Sequence, residues 1–284
     1  MDDKTAKDDT YIMDVRGGAE YARLIEQDRS VNEAMGSLIP SAIKPGVVHE
    51  ALDAACGPGG WALALADTFP GVHVTGIDIN AEMIEYAQAQ AKVRKLNPAV
   101  RFRVMDVRKP LEFADESFDL VNARFMASFL PQAEWPGVVK EFARVTRTGG
   151  HIVLTESDVA GETNSASFKE VLHLVSEAMY RVGFYSASGT RVTQSLEQVL
   201  RDAGCGEIQQ MRHRLDYSLG TPAHQAVSEN IIAGMRLAQP FLINMKIASQ
   251  EHLDALFHRV EIDMLTEGFQ SYWDFLTVWG TIGR

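Results

Sequence analysis

The sequence predicts a doubly wound α/β fold, because short apolar runs alternate with amphipathic helical segments over its central part. A glycine-rich turn directly follows the first run, which is typical of a strand that leads into a helix. The predicted strands are residues 49–55, 72–77, 100–105, 118–123 and 152–155, and the helices between them are residues 61–68, 81–95 and 132–145. Short runs of this kind indicate buried parallel strands joined by right-handed crossovers.

The flanking parts depart from this alternation. Residues 1–10 are polar and are predicted to be a disordered tail, and residues 17–39 have the apolar spacing of one or two helices. After the fifth strand, helices are predicted at 164–182, 190–203 and 222–267, and strands at 207–219 and 272–281. No repeat or linker divides the chain, so we expect one domain with a helical elaboration.

Composition excludes several classes of protein. The 284 residues carry 27 Lys and Arg against 38 Asp and Glu, a net charge of −11, which disfavours nucleic acid or an anionic membrane as partner. No apolar run reaches the ~18 residues of a membrane span, and the polar N-terminus has no apolar signal core, so we expect a cytoplasmic protein. Cys56 and Cys205 are too few for a disulfide framework, and we predict no metal site.

The glycine-rich turn is the first candidate for ligand binding. The first strand ends at Asp53, and Gly57, Gly59 and Gly60 lead into the next helix, whose free N–H groups can receive a carboxylate. Ligands of open α/β sheets bind at such strand ends. The turn alone is ambiguous, because Gly57, Gly59 and Ala62 also fit the looser dinucleotide fingerprint.

Two carboxylates narrow the choice. Asp78 ends the second strand and can accept hydrogen bonds from both ribose hydroxyls; the alternative, a cap on the following helix, is open to Asn80 instead. Asp106 follows the third strand, where a carboxylate can accept from the exocyclic amine of adenine and the N–H of Val107 can meet a ring nitrogen. A ribose contact is common to dinucleotides and to smaller adenosyl ligands, so Asp78 does not separate these two classes of cofactor. Asp106 favours an adenosyl ligand that is not a dinucleotide.

Four segments, LDAACGPGG (52–60), GIDIN (76–80), MDVRKPLEFADESFDLVNA (105–123) and RTGGHIVLTE (147–156), together resemble the class I S-adenosylmethionine-dependent methyltransferases of quinone biosynthesis and small-molecule tailoring. The resemblance covers residues 45–157 and implies S-adenosylmethionine as cofactor and S-adenosylhomocysteine as product. The cofactor-binding residues that it implies are Asp53, Ala55, Gly57, Gly59, Asp78, Ile79, Met83, Asp106, Val107, Asn122 and Ala123. Ala55 departs from the family, which commonly has glycine there.

The resemblance also implies a Rossmann-like sheet of seven mostly parallel strands that ends in an antiparallel hairpin, formed here by 207–219 and 272–281. We expect residues 1–44 to be a tail with lid helices, and residues 45–284 to be the methyltransferase domain with cap insertions at about 160–186 and 220–268. The Met and Phe content of these helices suits either ordinary core packing or a lid over a small apolar or aromatic acceptor.

The general base is not identified by the sequence. Candidates are Glu156 after the fifth strand, His224 at the start of the second insertion, and Tyr11 and Tyr185 in the predicted lid. Arg124 and Phe125 follow the fourth strand and are placed to face an acceptor. Each is also compatible with a surface or packing role.

Two other classes of protein stay open. An NAD(P)-dependent oxidoreductase explains Gly57, Gly59 and Asp78 but leaves Asp106 unexplained, and the turn lacks the Arg or Lys that phosphates favour. A non-catalytic adenosyl-ligand-binding protein keeps all the motifs. A homodimer is compatible with either class.

Overall fold

A computed structural model describes residues 18–158, 161–184 and 191–283, and within these ranges the strands form one mixed sheet. The strands are β1 (Glu50–Ala54), β2 (His73–Asp78), β3 (Val100–Val104), β4 (Phe118–Arg124), β5 (Thr146–Glu156), β6 (Glu162–Thr163), β7 (Cys205–Asp216) and β8 (Ser271–Ile282). Their order is β3-β2-β1-β4-β5-β8-β6, and β7 pairs with β8.

Strands β1 to β5 are parallel, whereas β8 runs antiparallel to both β5 and β7. The predicted doubly wound sheet with an antiparallel C-terminal pair is therefore confirmed. The predicted count of seven strands is wrong by one, because β6 pairs with the first residues of β8. A two-residue strand is too short to leave an alternating pattern in the sequence.

The helices of the described ranges lie where the periodicity predicts them, within a few residues at each end. They are α1 (Gly18–Met35), α2 (Gly60–Thr68), α3 (Ala81–Val93), α4 (Trp135–Val145), α5 (Ala166–Arg181), α6 (Val192–Asp202), α7 (His224–Asn244) and α8 (Gln250–Met264). The stretch predicted as helical over 222–267 is therefore two helices.

Helices cover both faces of the sheet. Ala51 of β1 packs into the cluster that contains Trp61 of α2 and Ala87 of α3, whereas the next residue, Leu52, packs with Phe142 of α4 on the opposite face. Side chains alternate between faces along a strand, so a strand covered on both sides is apolar throughout.

A third buried cluster lies beyond the carboxyl ends of the strands. It is formed by α1, α5, α7 and α8 with the ends of β7 and β8, and its buried members include Val31, Phe168, Leu242, Leu256 and Phe275. We call this group of helices the cap. The predicted lid segments supply these helices, while the tail at 1–10, Tyr11 and Tyr185 lie outside the described residues.

Candidate active site

A cavity of about 610 Å³ lies between the carboxyl ends of the parallel strands and the cap. Its wall has two chemically different parts. The sheet side contributes Ala55, Gly57, Asp78, Ile79, Met83, Asp106 and Val107. The cap side contributes mainly apolar side chains of α5 and α7, among them Phe168, Val171, Leu172, Val175, Ile231 and Met235.

The glycine-rich turn has left-handed backbone at three positions, with φ of 56° at Ala55, 52° at Gly57 and 82° at Gly59. Glycine adopts this conformation without cost, whereas a side chain costs roughly 1–2 kcal/mol there. Ala55, the predicted departure from the family, is therefore strained.

Gly59 is required by packing beneath the cavity wall. A Cβ on Gly59 would lie 2.6 Å from the ring of Phe102 and 3.0 Å from Cβ of Ala87, both in the core below the turn. Its approach to the cofactor stays a prediction.

Asp78 ties the end of β2 to the turn. Its Oδ2 accepts a hydrogen bond from the N–H of Gly57 and its Oδ1 from the N–H of Asn80, both at 2.9 Å. Asn80 caps α3 by accepting from the N–H groups of Glu82 and Met83, so the capping alternative for Asp78 does not apply. Burial raises the pKa of Asp78, although these backbone hydrogen bonds lower it. The carboxylate lines the cavity, and its oxygens have lone pairs left to accept further hydrogen bonds.

Asp106 lies on the same wall and is bound by Arg108, whose Nε and Nη2 donate to the carboxylate at 3.0 and 3.1 Å. Burial alone raises the pKa of Asp106, but the hydrogen bonds from Arg108 outweigh it and hold the pKa below its usual range. Ile79 is 58% exposed beside it, whereas Met83 and Val107 are buried.

Asp53, at the end of β1, is buried and accepts a hydrogen bond from Nδ2 of Asn122 at 2.9 Å. Burial raises the pKa of Asp53 to about 7, although Arg124 and Asn122 lower it. The side chain of Asn122 is therefore bonded to Asp53, and Ala123 packs into the core on the face of the sheet that α4 covers.

Of the candidate bases, Glu156 lines the cavity but has a structural task. Its two carboxyl oxygens accept hydrogen bonds from the N–H groups of Met126 at 2.6 Å and Ala127 at 3.3 Å. Burial raises the pKa of Glu156 well above its usual range despite these bonds. The turn that it holds presents Phe125, whose ring lies 5.6 Å from that of Trp273 on the cavity wall.

Of the other candidate bases, His224 is the one among the described residues, and it is not part of the cavity wall that contains Glu156. His224 donates from Nδ1 to the carbonyl of Tyr217 at 2.9 Å, and its ring packs on that of Phe269. These contacts give the imidazole a structural role. Arg124 lines the cavity and pairs with Asp28 of α1, a contact that no local sequence pattern signals.

The cavity suits an adenosyl cofactor on the evidence of its own polar groups. Carboxylates stand at the ends of β1 and β2 and after β3, and the left-handed turn brings backbone to the wall between them. This combination of sheet order, turn and carboxylates is the one that the resemblance to the class I S-adenosylmethionine-dependent methyltransferases implies.

Comparison with known proteins agrees. Residues 51–150 match the family model described as a methyltransferase domain. The chain is 35% identical over 139 residues to the phosphatidylethanolamine N-methyltransferase of Cereibacter sphaeroides, a match covering 49% of this chain and 63% of that one. It is 34% identical over 108 residues to the demethylmenaquinone methyltransferase of Geobacillus kaustophilus, covering 38% and 44%.

Solved structures share the fold over most of the chain. Phosphoethanolamine N-methyltransferase 2 of Haemonchus contortus, in complex with phosphomonomethylethanolamine and S-adenosylhomocysteine, aligns with a TM-score of 0.55 at 19% identity, covering 94% of this chain and 58% of that one. A geranyl diphosphate methyltransferase in complex with S-adenosylmethionine aligns with a TM-score of 0.52 at 17% identity, covering 97% and 95%. Along the described ranges, no helix has the length and apolarity needed to cross a membrane.

Proposed function

We propose that this protein transfers the methyl group of S-adenosylmethionine to a small, uncharged, apolar or aromatic acceptor. One observation carries the proposal: a single cavity is polar at the strand ends and apolar at the cap. The match spans 63% of the length of the first relative and 44% of the second, so their substrates do not transfer directly to this chain.

On the sheet side, Asp78 accepts hydrogen bonds from the ribose hydroxyls and Asp106 from the adenine amine, with Ile79 and Met83 packing on the base; their common position on the cavity wall supports these roles. The backbone of Ala55 and Gly57 borders the space for the amino-acid end. When bound, the cofactor supplies a methyl group on a positively charged sulfur.

On the cap side, apolar helices exclude water and hold the acceptor in position, which supplies much of the rate enhancement for a displacement of this kind. Glu156 holds the turn that presents Phe125, and its oxygens already bind backbone N–H groups. We therefore assign Glu156 a positioning role and no proton transfer.

The charges on the wall disfavour an anionic acceptor. In the described part of the chain, the cationic side chains of the wall are Arg23, Arg108 and Arg124, and each is paired with a carboxylate. On the described part of the wall, a phosphate-bearing acceptor would therefore meet only cations that a carboxylate already neutralises. The net charge of −11 likewise supports a small molecule over nucleic acid.

We further propose that residues 1–44, with the insertions at about 160–186 and 220–268, act as the lid of a methyltransferase domain formed by the rest of residues 45–284. The packing of α1, α5, α7 and α8 into one buried cluster over the cavity supports this division.

Calorimetry tests the cofactor assignment. The wild type should bind S-adenosylhomocysteine and not NAD, and Asp78→Asn should weaken that binding at least about tenfold because a hydrogen-bonded charge is lost. Asp67→Asn, an exposed carboxylate of α2, is the matched control and should bind normally. Binding of NAD in place of S-adenosylhomocysteine would support the oxidoreductase instead.

A methyl-donor assay over phenols, indoles and quinols, with mass spectrometry to locate the methyl group, tests the acceptor class. We expect transfer to an uncharged member of the panel. Transfer confined to phosphate-bearing amines would contradict the acceptor assignment, and cofactor binding with no transfer to any acceptor would favour the non-catalytic class.

A further inference from the structure

A charged pair from two distant parts of the chain lies on the cavity wall beside the glycine-rich turn. Arg124, the last residue of β4, contacts the carboxylate of Asp28 on α1 and donates to Oδ1 of Asn32 at 2.8 Å. The side chains of Arg124 and Asp28 are 7% and 20% exposed, and both line the cavity, so their remaining exposure includes the cavity surface.

The carboxylate of Asp28 rests on the first residues of α2. It accepts a hydrogen bond from the N–H of Trp61, and a Cβ on Gly60 would overlap it. Glycine at position 60 is therefore what allows α1 to approach the turn this closely. The free N–H groups of α2, predicted to receive a ligand carboxylate, meet a carboxylate of the chain itself.

The surroundings of Asp28 carry an excess of negative charge. Asp53 is close enough to interact with Asp28, and Arg124 is the cation that acts on both of them among the described residues. Burial raises the pKa of Asp28 although Arg124 lowers it. Two buried carboxylates that share one guanidinium favour a further positive charge in the cavity.

We propose that Asp28 and Arg124 together bind the amino-acid end of the cofactor, Asp28 accepting hydrogen bonds from its ammonium group and Arg124 donating to its carboxylate. An acid and a base side by side on one wall match the two charges of an α-amino acid. The inference rests on the proposed function, and it makes α1 part of the cofactor site although α1 lies outside the matched residues 51–150.

The opposite role for Asp28 is that of a plug, in which its carboxylate occupies the place of the cofactor carboxylate at α2. Removing the charge would then strengthen cofactor binding, whereas our proposal requires it to weaken binding. The sign of one measured change therefore separates the two roles.

The test compares two ligands by calorimetry. S-adenosylhomocysteine has the amino-acid end, and 5′-methylthioadenosine has the same adenosyl group without it. Asp28→Asn should weaken binding of the first at least about tenfold and leave the second within about twofold. Glu33→Gln, an exposed carboxylate 69% accessible on the same helix, is the control and should change neither.

Unchanged or tighter binding of S-adenosylhomocysteine to Asp28→Asn overturns the proposal, and so does an equal loss for both ligands. If Asp28→Asn does not fold, Gly60→Ala displaces the same carboxylate without removing its charge, and it should give the same selective loss. A wild type that binds neither ligand contradicts the proposed function itself, whereas normal wild-type binding with an indifferent Asp28→Asn contradicts only this inference.

Discussion

The sheet side and the cap side of the cavity are built in different ways. On the sheet side, polar groups are held in set directions by hydrogen bonds at the strand ends and the turn, as where Asp78 accepts from the N–H groups of Gly57 and Asn80. On the cap side, apolar residues of α5 and α7, such as Val171 and Ile231, meet across about sixty residues of chain.

This difference teaches which half determines which property. Fixed hydrogen-bonding groups at strand ends suit one invariant ligand, because each group has a set direction. Apolar side chains select by shape and volume, and they tolerate substitution. We therefore expect mutations on the sheet side to change cofactor affinity or folding, and mutations on the cap side to change turnover.

The largest expected effect comes from filling the cap side. Leu172→Trp adds volume to the wall on α5, so turnover should fall more than about a hundredfold, or about 2.7 kcal/mol, while the affinity for S-adenosylhomocysteine stays within about twofold. Tyr180→Trp, on the same helix and 51% exposed, is the control. If Leu172→Trp lowers cofactor affinity as much as it lowers turnover, the two halves of the cavity do not have separate roles.

Gly59→Ala tests the rigidity of the sheet side. The new Cβ meets the Phe102 ring at left-handed φ, so the free energy of unfolding, measured with denaturant, should fall by about 2–4 kcal/mol. Gly149 has the same φ of 82°, and a Cβ there would have no atom within 4 Å. Gly149→Ala should therefore lose only the free energy that a side chain costs at left-handed φ. An equal loss of unfolding free energy in the two variants would mean that the Phe102 ring moves aside without cost.

The pH dependence of cofactor affinity tests the buried carboxylates. Burial raises the pKa of Asp53 to about 7, so Asp53 keeps its proton below that pH in the folded state and ionises above it. Since the ionised form attracts the cationic cofactor, the affinity for S-adenosylmethionine should rise up to about tenfold between about pH 6 and pH 8.

The same shift has the opposite sign for stability. Between its ordinary pKa near 4 and about 7, the folded state keeps a proton that the unfolded state releases, so the contribution of Asp53 to stability falls as the pH rises. Asp53→Asn should flatten both curves. Asp28 and Asp78, whose pKa values are also raised by burial, face the same region, and a pH slope retained in Asp53→Asn would assign the effect to them.

The smallest effect is expected at Ala55, where Ala55→Gly should relieve the left-handed strain. The stabilisation should be at most about 1 kcal/mol, because glycine also gains entropy in the unfolded chain. Ala64→Gly, within α2, should instead destabilise by about 0.5–1 kcal/mol. Destabilisation at position 55 as well would show that its Cβ makes a contact that outweighs the strain.

The parts that the sequence predicts are those with local causes. Strand β4 and the second half of β5 follow from runs of buried, mainly apolar residues, and the sharp turn follows from Gly57 and Gly59. β6 could not be predicted because two residues are too few to show an alternating pattern. The packing reason for Gly59 could not be predicted either, because the ring that excludes a Cβ there belongs to Phe102, 43 residues later.

The site was predictable in the same measure. Asp78 and Asp106 are predictable because Asp78 ends one strand and Asp106 comes shortly after the next, and both line the cavity. Asp28 left no trace in the pattern, since its contact with Arg124 joins residues 96 apart. Their roles toward a cofactor stay predictions until a ligand is bound.

A crystal structure with bound S-adenosylhomocysteine tests the central claim most directly, because that ligand shows which half of the cavity holds which group. The adenosyl group should lie at the ends of β2 and β3, with ribose on Asp78 and adenine beside Asp106, and the sulfur should face the cap side near Phe125. An adenosyl group bound among the apolar side chains of α5 and α7, with Asp78 and Asp106 left in water, would contradict the account.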